Sequence, residues 1–152
     1  MHRQSIALFL VAGCLLPGSG AADGHGEKVF RETCSACHVE RMSAEATDHA
    51  TDIVAPPMNL LTTIIRKKTG DDEAEFVAHV VAFTKEPRRE DVLAMPQAVD
   101  RFGLMPAIET LSPGVTDADI TAVARWLFHH YDYRAELQQL QEHEANEAKE
   151  AE

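Results

Sequence analysis

Apolar residues recur along this chain at three- and four-residue intervals, and nowhere do they alternate with polar ones for the length of a strand. The cleanest stripe comes late. Ile120, Val123, Ala124, Leu127, Phe128 and Tyr131 follow the spacing of one helical face, with Thr116 placed to cap the helix and Asp117 and Asp119 in its first turn. Leu61, Ile64, Ile65 and Lys68 predict a helix from Met58 to about Lys68, which Gly70 ends. Asp71-Asp72-Glu73 opens another, with Phe76, Val77, Val80, Val81 and Phe83 on its apolar face and Pro87 closing it. Val29, Phe30 and Thr33 mark a first helix over about Glu27 to Ala36, entered through a flexible Asp23-Gly24-His25-Gly26.

The intervening stretches are less regular. Val39 to Ala55 has weak periodicity and predicts loop with at most a short helical turn, and Pro56-Pro57 excludes regular helix. Short helices are expected around Arg89 to Leu93 and from Pro96 to Arg101, followed by a loop over Phe102 to Pro106. No internal repeat is present. The expected fold class is all-α.

The two ends read differently from the middle. Residues 1–22 have the form of a secretory leader: His2 and Arg3, an apolar run over Ile6 to Leu16, Pro17-Gly18, then small residues for cleavage after Ala22 or Ala21. Val11-Ala12-Gly13-Cys14 offers a rival reading, a lipoprotein box with Cys14 as the lipidated residue. Residues 23–133 form the expected domain. Residues 134–152 are polar and acidic and are expected to form a solvated acidic tail, with an extension of the last helix for a few turns as the alternative.

Of 152 residues, 14 are basic and 25 acidic, a net charge of −11; losing Arg3 with the leader makes it −12. That balance argues against a nucleic-acid partner. It suits an exported acidic protein, periplasmic in a bacterium, whose partners carry basic docking patches.

The chemistry concentrates in Cys34-Ser35-Ala36-Cys37-His38. This C-x-x-C-H run is the attachment pattern of a c-type haem. Two thiols on one turn reach the two vinyl groups of a single porphyrin, and the adjacent imidazole is carried beneath the iron. A bare C-x-x-C also serves redox pairs and zinc sites, and His38 with an export leader decides for haem.

Around that motif the chain resembles the class I cytochromes c, soluble one-haem electron carriers, over roughly residues 24 to 133. The resemblance implies a helical fold wrapped around one haem c, held covalently by Cys34 and Cys37 with His38 on the iron. It also implies a sixth ligand from a methionine on a loop before the final helix, which points to Met105, followed by Pro106. Met95-Pro96, Met58 and His79 are the alternatives, in that order, and Met42 is expected to be exposed. Gly26 and Phe30 match the half of the family's crossing that lies on the first helix; Trp126 or Leu127 would supply the other half. A proline carbonyl, from Pro56 or Pro57, would accept the second N–H of His38, with Met58-Asn59-Leu60 lining the haem.

The function implied is one-electron transfer with transient redox partners rather than catalysis. Three other readings compete: a haem enzyme or ligand sensor with a labile sixth position, a haem-free disulfide or thiolate pair, and a cytochrome subunit of a larger complex.

Overall fold

The computed structural model describes residues 20–94 and 96–150. The stretch 1–19, which holds most of the expected leader and Cys14, lies outside the described residues, as does Met95. Every regular element among them is helical. Helix α1 (Gly20–Val29) runs on into a π-turn, Phe30–Cys34; α2 is Ala44–His49, α3 Met58–Lys68 and α4 Glu73–Lys85. A 3-10 turn over Arg89–Asp91 precedes α5 (Pro96–Phe102), α6 (Ile108–Leu111), α7 (Asp117–His130) and α8 (Tyr133–Glu150). No helix among the described residues is long and apolar enough to cross a membrane.

Local chemistry sets several of the helix starts. The Ser43 hydroxyl accepts from Ala46 N at 3.1 Å, the Asp72 carboxylate from Glu75 N at 3.0 Å, and Thr116 and Asp119 form a reciprocal capping box. Gly70 (φ 67°) and Asp71 (φ 60°) turn the chain between α3 and α4 through the left-handed region. Arg66 secures that turn. Its guanidinium binds Asp71 at 2.6 Å and the Phe128 carbonyl at 2.6 Å, and lies over the rings of Phe128 (4.0 Å) and Tyr133 (4.3 Å). A nearly buried charge is thus paired, hydrogen-bonded and stacked at once.

Helix α7 is the centre of the core, packed by α1 on one side and by α4 and α3 on others. Phe30 meets Trp126 with ring centroids 5.0 Å apart, and Phe76 meets Phe128 edge-on at 5.4 Å. The α1–α7 approach depends on Gly26: a Cβ there would sit 2.3 Å from the Ala122 carbonyl oxygen and 2.6 Å from Trp126 Cβ. This contact explains why Asp23 to Gly26, read as a flexible entry, is helix instead. Tertiary packing overrides the weak propensity of two glycines.

Two further departures have clear causes. Helix α6 is a single turn with one buried apolar residue, Ile108, too short to show periodicity. The polar segment after Tyr133 is helical through Glu150 and is not a free tail at its start. Glu136 and Leu140 are buried where α8 packs on α3 and α2, and Glu136 accepts hydrogen bonds from Arg41 and from Asn59 (2.9 Å). One buried carboxylate among polar neighbours leaves no apolar stripe to read.

Gly26→Ala should destabilise the protein by about 1–3 kcal/mol in denaturant melts, because overpacking at the crossing outweighs the better helix propensity of alanine. The Asp119 carboxyl is held down to about 2 from 3.8, chiefly by hydrogen bonds from Thr116 and then by His25. Its contribution to stability is therefore present above its ordinary value and lost as pH falls through about 2. In Thr116→Ala, titration of Asp119 followed by NMR should move back up toward 3.8.

Candidate functional site

The Cys34–His38 turn hangs from the end of α1. Ser35 N donates to Phe30 O at 3.0 Å, which closes the π-turn, and Cys37 N and His38 N both donate to Cys34 O, at 3.2 and 3.0 Å. The backbone therefore curls around the Cys34 carbonyl and places both thiols and the imidazole on one turn. Cys34 is half-buried against the core that contains Val29 and Phe30, while Cys37 is exposed. Burial, with Cys37 adding to it, pushes the Cys34 thiol up to about 11.

His38 is the best-defined group of the site. Its Nδ1 lies 2.8 Å from the Pro56 carbonyl oxygen. A carbonyl only accepts, so Nδ1 carries the proton and Nε2 keeps its lone pair. Burial lowers the pKa of His38, and the Pro56 bond only partly offsets this. The imidazole is accordingly neutral, fixed in orientation, and free to ligate through one nitrogen.

What holds that geometry is the start of α3. Its first N–H groups have no partner within the helix. Met58 N donates to Val39 O (2.9 Å) and Asn59 N to Glu40 O (3.1 Å), so the strand of chain leaving His38 caps α3. The Asn59 side chain continues the clamp, accepting from Met42 N (3.1 Å) and donating to Met42 O (3.0 Å). From the other side, Tyr131 donates to Glu40 O at 2.8 Å and His130 meets the Glu40 carboxylate at 2.9 Å. His38 thus sits between Pro56 and a segment pinned by α3, α7 and, through Glu136, α8.

These contacts change several expectations. Of the two prolines, Pro56 accepts from His38. The Asn59 amide is occupied by Met42 and Glu136, and Met58 belongs to the core cluster. Met42 is half-buried, not exposed, because Asn59 holds its peptide. Trp126 faces Phe30, and Leu127 lies in the same core cluster.

Met105 lies half-buried on the loop between α5 and α6, two residues after Gly103 (φ 79°). Arg101, at the end of α5, donates to Thr47 O at 2.8 Å and also to Ala50 O. The arm that leads to Met105 is therefore tied to the segment that follows the cysteine motif. His79 is half-buried and stacks on Phe83 at 5.8 Å; burial lowers its pKa and Asp91 opposes this. Arg41, Arg101 and Glu136 carry no motif, and nothing in the residues around them marks these contacts in advance.

Over 115 residues the chain is 35% identical to an uncharacterized protein of Aquifex aeolicus (strain VF5), covering 70% of this chain and 73% of that one. The chain belongs to that protein's family. No family model matches it, and no solved structure matches it.

In chain prepared with both thiols free, alkylation near pH 8 should modify Cys37 first. Cys34 should react fully only after unfolding, and mass spectrometry of the modified peptides would show the order.

Proposed function

We propose that this chain is an exported monohaem c-type cytochrome, similar to the class I carriers, that moves single electrons between transient partners. One observation carries the reading: a half-buried, neutral His38 directly after Cys-x-x-Cys, its Nδ1–H committed to Pro56 O at 2.8 Å. A metal-ligating histidine characteristically gives its other N–H to such an acceptor, which fixes tautomer and ring direction. The residues present fit the group. Cys34 and Cys37 are unpaired thiols on one turn, and Cys34 abuts apolar core.

Attached through both thiols, haem would supply a one-electron iron couple tuned by the residues that ligate it and by its burial. His38 Nε2 would be one ligand and the thioether of Met105 the other, a soft donor that favours the reduced state. The protein's own part is to hold these groups still. The clamp of Val39, Glu40 and Met42 restrains the imidazole, and Arg101 restrains the arm leading to Met105. The exposure of Cys37 suits exchange at the surface with partners that bind briefly. A haem-free thiolate pair fits less well, since a reactive cysteine needs a lowered pKa and that of Cys34 is raised.

Full-length protein exported from a bacterium with c-type maturation should be coloured, carry the mass of one haem, and give a low-spin reduced-minus-oxidised spectrum. Met105→Ala should lose the six-coordinate spectrum and lower the reduction potential. Colourless protein whose two thiols still react would end the proposal. An unchanged Met105→Ala spectrum would remove Met105 as the ligand.

A further inference from the structure

Away from the cysteine turn, α2 and α8 bring together a second set of donor atoms. His143 and Glu147 stand one turn apart on the same face of α8, and Asp48 faces them from α2. His143 Nε2 is 2.8 Å from Asp48 Oδ2 and 3.6 Å from Glu147 Oε2, and one ligand atom from each residue lies within 4.8 Å of the other two. We propose that Asp48, His143 and Glu147 form a binding site for a divalent transition-metal ion such as zinc, which clasps α8 to α2.

Three features separate this group from the other histidine–carboxylate pairs. His25, His129 and His130 each meet one carboxylate, from Asp119, Glu73 and Glu40, and the first two imidazoles are more than half exposed. His143 meets two carboxylates from two helices, and its side chain is only 21% exposed. Its imidazole is therefore held in place, whereas Asp48 and Glu147, about half exposed or more, can close on an ion by small rotations. The charge balance is also right. One imidazole and two carboxylates present two negative charges to a doubly charged ion, and a nitrogen–oxygen donor set suits the later first-row metals.

The site opens beside a groove of about 250 Å³ between the helices, lined in part by Ser43, Glu45 and Asn146, where water can complete the coordination. Without an ion, Nε2–H donates to Asp48. The ion takes that place on Nε2, and the neutral imidazole keeps its one ring proton by carrying it on Nδ1 instead.

The test is a zinc titration of the mature protein, haem-loaded if it carries haem, read by calorimetry and by thermal melting. Wild type should bind one zinc through this site and melt at higher temperature with it. Asp48→Asn and His143→Gln should each weaken binding on the order of 10- to 100-fold and lose the rise in melting temperature, while His25→Gln binds as wild type. Glu147→Gln changes an exposed side chain and should weaken binding even if either of the other variants folds poorly. No zinc binding by wild type, or binding that is unchanged in all three site variants, would overturn the assignment. Because the readouts are zinc affinity and melting temperature, the outcome is independent of the haem proposal.

Discussion

A missing side chain organises this protein. At Gly26 the backbone of α1 comes down on the Ala122 carbonyl and on Trp126 with no room for even a methyl group. That approach brings Phe30 against Trp126, and it sets where α1 must end. Since the cysteine turn is the direct continuation of α1, its position follows from this crossing. The rest of the core is then assembled around the other faces of α7, with Phe76 of α4 on Phe128 and Arg66 of α3 stacked against the same ring.

The second constraint is the unmet hydrogen-bonding demand at the start of α3. Two prolines in a row prevent the helix from beginning earlier, which leaves Met58 and Asn59 with free N–H groups in a buried place. The carbonyls of Val39 and Glu40 answer them. The same proline pair directs the Pro56 carbonyl at His38. Capping a helix and orienting an imidazole are here one arrangement, so a change that disturbs either will disturb both.

The helices that carry strong apolar stripes were legible from the residues. Met58–Lys68 was expected with the bounds it has, and the Asp72 and Thr116 starts follow from capping chemistry that acts within four residues. Less was legible where long-range polar contacts decide the structure. Asn59 follows a core methionine and reads as lining, yet its amide serves Met42 and Glu136 from remote parts of the chain. Glu136 looks like one acid among many in a polar segment, and only its burial shows that it fixes the course of α8. Periodicity reports faces that seek apolar company; it carries no information about which carboxylate will meet which guanidinium. The cysteine turn itself was visible as a motif, whereas the choice between Pro56 and Pro57 needed the path of the chain.

The π-turn at Phe30–Cys34 has a consequence of its own. An ordinary helix advances about 100° per residue, and a π-turn accommodates one additional residue before the next hydrogen bond closes. Relative to the aromatic anchor at Phe30, everything from Ser35 onward is therefore displaced by about one step of the screw. Removing a single residue from this turn would leave the amino-acid motif intact on paper while swinging its thiols and imidazole toward a different side of the molecule. Relatives of this chain must then be compared by the count of residues between the aromatic anchor and the first cysteine, and not only by whether the cysteines and histidine are present.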